Sequence, residues 1–203
     1  MNKKTDTKLE IIKAALRLFL QKGLEKTSMN EIATTLGITK PAIYYHYKNK
    51  DAVIEGVLTL FKSEMSKWIT NIHKSNVSVQ DYLKKTFQSV KVFSDVTVIL
   101  LDEIPDNCRY NFDELILQFS KKNITIKSEM ETIFIQTRKS ITNRIIKGQS
   151  VNEIRTDLNP EIIALQIHSM IEGISTIAQL DSTIDLSKVG QKLFNEFWKT
   201  IKQ

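Results

Sequence analysis

The stretch MNEIATTLGITKPAIYYHYK, residues 29–48, reads as two short helices meeting at an angle. Ser28 stands just before it, placed to cap the first helix: its hydroxyl accepts from the Glu31 amide while the Glu31 side chain reaches back, a reciprocal capping box. Ala33 falls where the helices touch and only a small side chain fits. Gly37, four residues on, supplies the turn, and Ile38 and Ile43 plug the angle from below. Thr39 is the N-cap of the second helix, with Pro41 in its first turn, where the missing N–H is not needed. That helix stops near Tyr47.

Working outward, apolar residues recur at spacings of three and four, and glycine and proline number only 6 and 3, so helices are expected nearly throughout. Leu9, Ile12, Ala15, Leu16 and Phe19 form one stripe of a helix over about 7–22, which Gly23 stops. Asn49 caps a long helix from Lys50 to about His73 that joins the first three to the rest and couples the two parts rigidly. Further helices are predicted over about 79–94, 96–103, 111–121, 124–147, 160–180 and 186–202, with Gly148 ending the long one and Asn159-Pro160 starting the next. The expected fold is all-α, with about nine helices: residues 1–49 form a three-helix helix-turn-helix head, and residues 50–203 a larger helical body.

The charge follows the same division. Of a net +6, residues 1–50 hold 10 Lys/Arg against 4 Asp/Glu, and the remainder balances at 19 against 19. A basic head on a neutral body suggests polyanion binding, with a solvated basic face as the plain alternative. The motif favours the first. The outward side of the second helix carries Thr39, Lys40, Ala42, Tyr44, Tyr45 and His46: hydroxyl, cation, methyl, phenols and imidazole on a short helix suited to the major groove of DNA. Tyr45 has packing on the helix over about 7–22 as an equal alternative. Thr27 and Ser28 can cap and also offer hydroxyls to a phosphate. His46, beside Lys48 and Lys50, is placed for a phosphate too. The helix dipole disfavours a cation at Lys50, so phosphate binding gives that residue a purpose.

No run approaches the roughly 18 apolar residues of a membrane span, and no signal or transit peptide is read at the N-terminus, so no membrane association and a cytoplasmic location are expected. Cys108 is alone and forms no internal disulfide; a buried, inert thiol is its commoner role. There is no nucleophile elbow, Gly-rich phosphate loop, HExxH or Cys/His cluster, so an enzyme is the disfavoured rival. His168 and Glu172 stand one helical turn apart, but two ligands without a third do not make a metal site, and neither metal nor cofactor is expected.

The pattern Ile12-x-x-Ala15-x-x-Leu18-Phe19-x-x-Lys22-Gly23, then Thr27-Ser28-Met29-x-x-Ile32-Ala33, then Gly37-x-x-Lys40-x-x-Ile43-Tyr44-Tyr45-His46-Tyr47-x-x-Lys50 closely resembles the N-terminal DNA-binding domain of TetR/AcrR-type transcriptional regulators. The likeness runs from residue 9 to about 55. Asp51-Ala52-Val53 departs from the usual acid followed by leucine or phenylalanine. The resemblance implies an all-helical homodimeric repressor whose C-terminal domain binds a small molecule and which reads a palindromic operator. It also implies that Thr27, Ser28, Thr39, Lys40, Ala42, Tyr44, Tyr45, His46 and Lys50 fall on positions that usually meet DNA.

Residues 148–160 look like the family's connection into its last two helices, which would then pair with their twins across a two-fold axis. Ile163, Ile167, Ile171 and Ile174, with Leu193, Phe194, Phe197 and Ile201, are the interface candidates; a core stripe within one chain is the alternative for each. Trp68, Phe87, Val90, Phe93, Phe119, Phe134 and Met170, with His168 or Glu172 to orient a ligand, are the pocket candidates, again against plain core. The ligand itself is not legible.

Overall fold

The computed structural model describes residues 3–74, 77–90, 100–102 and 112–203. Among them are nine helices and no strand, in the order α1 (Lys3–Lys22), α2 (Met29–Thr35), α3 (Lys40–His46), α4 (Lys50–Lys74), α5 (Val79–Gln88), α6 (Phe112–Lys122), α7 (Ile124–Ser150), α8 (Pro160–Leu180) and α9 (Leu186–Ile201). None is long and apolar enough to cross a membrane. Of the helix expected over 96–103, only Leu100 and Leu101 are described as helical. Cys108 lies outside the described residues.

The helix starts are explained by local chemistry. Ser28 accepts from the Glu31 amide, Thr39 from Ala42, Asn49 from Ala52, and Asn159 from both Glu161 and Ile162. The box at α2 is only half made, because Glu31 pairs across to Lys22 of α1 instead of turning back. Two expected ends move. Ser89 closes α5, its amide bonding back to Lys85 and Thr86. Gly148 lies inside α7, where it serves packing rather than termination: a Cβ there would stand 2.8 Å from Ile154 Cδ1.

The chain packs as two compact units, residues 1–68 with 96–130 and residues 69–95 with 131–203. In the first, Ile11, Ala15, Leu16 and Phe19 of α1 meet Ile32 and Ala33 of α2, Ile43 of α3, Val53 and Val57 of α4, and Leu115 and Phe119 of α6, all buried. Phe19 and Phe119 touch edge to face at 6.1 Å. Lys13 pairs with Asp102 at 2.6 Å, and Arg17 donates to the Leu101 carbonyl at 3.3 Å.

The second unit is built around Phe87 of α5, whose ring lies 5.5 Å from Phe197 and 6.1 Å from Phe194 of α9, with Ile145, Ile154, Ile163, Ile167 and Ile171 closing the core. The chain's end is tied in as well: Arg155 donates its amide to Ile201 and Gln203 donates to Glu153.

Candidate nucleic-acid interface

The helix-turn-helix is built from three small decisions in the chain. Gly23 and Gly37 take φ of +83° and +65°, the left-handed region in which a side chain is strained. Ala33 is buried at the α2–α3 contact, and its carbonyl accepts from Ile38 at 3.0 Å, which closes the turn. Ile43 is buried beneath the angle; Ile38 is only half-buried.

With Ile43 turned inward, the opposite side of α3 is left to solvent. Thr39, Lys40, Tyr44 and Tyr45 are exposed and Ala42 is half-exposed. Tyr45, for which packing on α1 was an equal alternative, is 69% exposed against 43% for Tyr44, and its ring meets His46 edge-on at 5.2 Å. His46 is half-buried, and its Nδ1 has no hydrogen-bond partner. The phenol that turns inward is Tyr47, whose hydroxyl donates to the Lys8 carbonyl at 3.5 Å. Burial raises its pKa above the ordinary tyrosine range. Gly56 makes room for it, since a Cβ there would stand 3.2 Å from the Tyr47 oxygen. The signal for this was in the sequence: Tyr47 lies four residues after the buried Ile43, on the same helical side.

Two of the expected phosphate-facing residues are placed otherwise. Thr27 is only 2% exposed and its hydroxyl donates to the Gly23 carbonyl at 2.9 Å, so it braces the turn between α1 and α2 and leaves Ser28 as the exposed hydroxyl. Lys50 is half-buried, and its ammonium donates to the carbonyls of Leu24 at 2.8 Å and Thr27 at 3.2 Å. Those two acceptors offset the unfavourable dipole at the start of α4, so its position does not require a phosphate. Lys13, Arg17 and Lys22 are likewise engaged within the fold. The exposed cations of the motif are therefore Lys26, Lys40 and Lys48.

The interface candidates of the last two helices also separate. Ile163, Ile167 and Ile171 of α8 and Phe194 and Ile201 of α9 are buried in the core of the second unit, and Ile174, Leu193 and Phe197 pack partly against it. These residues form the core stripe of one chain. The face of α8 left open is the opposite one, with Ile162 and Leu165 near one end and Leu180, 89% exposed, at the other. Ser169, Gly173 and Thr176 continue that face between them, and a Cβ at Gly173 would meet nothing within 4 Å.

Of the pocket candidates, Phe87 and Val90 are core of the second unit with Met170 packed against it, and Phe119 is core of the first. Phe93 lies outside the described residues, as does the side chain of Trp68. Phe134, His168 and Glu172 do come together: the Phe134 ring stands 5.3 Å from the imidazole, whose Nε2 is 3.5 Å from Glu172 Oε1. Ser175, seven residues beyond His168 on the same side of α8, is buried with a hydroxyl that has no partner. It was missed because a serine inside an apolar helix carries no signal of its own.

A capped helix-turn-helix with polar and aromatic side chains on the open side of its second helix defines the class: a DNA-reading module joined to a helical body. The model for bacterial regulatory proteins of the tetR family matches residues 11–57, which are the helix-turn-helix head and the start of α4. The chain is 34% identical over 115 residues to the HTH-type transcriptional regulator YerO of Bacillus subtilis, covering 53% of this chain and 39% of that one. To the HTH-type transcriptional regulator AcrR of Shigella flexneri it is 27% identical over 61% of this chain and 59% of the relative. The chain thus spans under two thirds of the length of these two relatives. A regulator from Saccharomonospora viridis, solved in complex with choline, superposes with a TM-score of 0.79 over 98% of this chain and 99% of that one, at 17% identity. That likeness is one of fold.

Proposed function

We propose that the protein is a homodimeric repressor that holds a palindromic operator through α3 and releases it when a small molecule binds the C-terminal domain. The reading divides the chain by task, with residues 1–49 reading DNA and residues 50–203 dimerising and binding the effector. The observation that carries it is the open face of α3, where Thr39, Lys40, Ala42, Tyr44 and Tyr45 stand on a helix whose turn, cap and buried side are otherwise complete. In this reading, Lys40 and the tyrosines meet base edges, while Ser28, His46, Lys26 and Lys48 approach phosphates.

Support for dimerisation comes from the apolar open face of α8. Ile162, Leu165, Ile177 and Leu180 are all about half exposed or more, and the small Ser169 and Gly173 let a second copy of the helix approach closely. In this reading each protomer of the dimer offers one α3 helix, and the two read successive major grooves about 34 Å apart. Effector binding is supported by the likeness of the N-terminal head to the tetR family and by the Phe134–His168–Glu172 cluster, and a neighbour of the same fold was solved with choline. To switch occupancy from 1:99 to 99:1, the effector must prefer the released state by about 5.5 kcal/mol.

The test is selection of duplexes from a random pool by the purified protein at two salt concentrations. An inverted repeat with half-sites about one turn apart is expected. Retention without sequence preference that vanishes with salt would refute the reading.

A further inference from the structure

Lys50 is the first residue of α4, and both carbonyls that accept its ammonium belong to the turn joining α1 to α2. Within the turn, Gly23 donates to Phe19, the Thr27 amide to Leu24 at 3.2 Å, and the Thr27 hydroxyl to Gly23. A partly buried cation with two backbone acceptors has a strong reason to stay. The turn leads directly into Ser28 and α2, and α2 carries α3 through the buried Ala33 and Ile43.

We propose that Lys50 is a positioning residue for DNA reading: it fastens the α1–α2 turn to the start of α4 and so sets the helix-turn-helix on that helix, instead of spending its charge on a phosphate. The inference rests on the DNA-binding reading above. Base recognition by a short helix requires its side chains to be held to within about 0.5 Å. A turn released from α4 misplaces α2, and α3 with it. The fastening also makes the first turn of α4 and the helix-turn-helix move as one piece, so a displacement at that point reorients the reading helix without bending the motif.

The experiment compares full-length wild type, Lys50→Met, Lys50→Arg and Lys48→Met in two measurements. The first is affinity for the selected duplex as a function of salt. The second is amide hydrogen exchange of residues 23–28 in the DNA-free protein, run below each variant's melting transition. Lys50→Met is expected to lose tenfold or more in affinity, with the slope of log K against log salt unchanged, and to exchange faster at residues 23–28. Lys50→Arg, which retains donors for both carbonyls, should recover most of the affinity. Lys48→Met should instead flatten the slope by about 1.8, the value for two phosphate contacts, one from each protomer of the dimer, and leave exchange at residues 23–28 alone. A slope flattened by about 1.8 in Lys50→Met, or unchanged exchange at residues 23–28, overturns the proposal. If the wild type selects no duplex, the DNA-reading assignment itself fails, whereas faster exchange in free Lys50→Met still establishes the fastening.

Discussion

Replacing Gly190 by alanine tests the closest approach in the second unit. A Cβ at Gly190 of α9 would stand 2.4 Å from the Phe87 carbonyl oxygen, 3.1 Å from its carbon and 3.3 Å from Gln88 Cα. Ordinary contact begins near 3.4 Å, so the two helices must separate by roughly 1 Å, because backbone cannot swing aside as a side chain does. Separation loosens the rings of Phe87, Phe194 and Phe197 that meet across this crossing. Overpacking of this kind costs about 1–3 kcal/mol, and the upper end applies where backbone meets backbone. Alanine regains about 1 kcal/mol over glycine in a helix, which leaves a net loss of about 2 kcal/mol. For a chain of this size that lowers the melting temperature by about 4–8 °C. Trp198, stacked on Phe194 at 5.9 Å, places a fluorescence probe beside the disturbance. Melting followed at that probe and by circular dichroism should show the drop. An unchanged or raised melting temperature would falsify the packing argument.

Other outcomes follow from the same geometry. Gly173→Ala meets nothing within 4 Å among the described residues, so it should strengthen α8 in the isolated protomer by up to about 1 kcal/mol while weakening self-association, read by sedimentation at several concentrations; equal association of both forms would count against the α8 seam. Leu165→Lys should yield monomers at micromolar concentration, since pairing would bury an unpartnered charge, with the protomer's own melting barely altered because Leu165 is exposed there. Tyr44→Ala and Lys40→Ala should each weaken specific operator binding by about 1–3 kcal/mol in a titration at fixed salt, and full affinity in both would remove α3 as the reading helix. Asp185, the N-cap of α9, is held down to about 2 by hydrogen bonds from Lys188 and then Ser187. Its folded pKa lies below the ordinary value of 3.8, so its stabilising effect is complete above about pH 4 and is lost as pH falls toward 2. Amide exchange at the start of α9 should accelerate across that window, and Asp185→Ala should abolish the step.

Features decided within a few residues were legible in the chain. Ser28, Thr39, Asn49 and Asn159 cap their helices, and Gly23 and Gly37 take the left-handed turns, because capping and turn formation involve atoms no more than four residues apart. The spacing of Ala33, Gly37 and Ile43 therefore identified the helix-turn-helix and left Thr39, Lys40, Tyr44 and Tyr45 on its open side. Glu31 is the exception that marks the limit: its local partner was available, and a cation on another helix took it.

Choices between distant partners belonged to the tertiary structure. Lys50 reaches carbonyls 23 and 26 residues away, and Lys13 an acid 89 residues away; a flexible four-carbon stem terminates wherever folding brings an acceptor, which spacing along the chain does not encode. The same holds for α8. Its apolar residues occupy both sides of one helix, and only the packing of the second unit's core, to which α5, α7 and α9 contribute, selects Ile163, Ile167 and Ile171 and leaves Ile162, Leu165 and Leu180 outside. The sequence by itself thus determined the helical character of the chain, the caps that start its helices and the reading motif, because these arise from local hydrogen bonding and backbone conformation, whereas the ends at Ser89 and Ser150 did not follow from it. Which cations remain for DNA and which apolar face remains for a second copy were settled only when remote elements met, because burial is a property of the assembled surface.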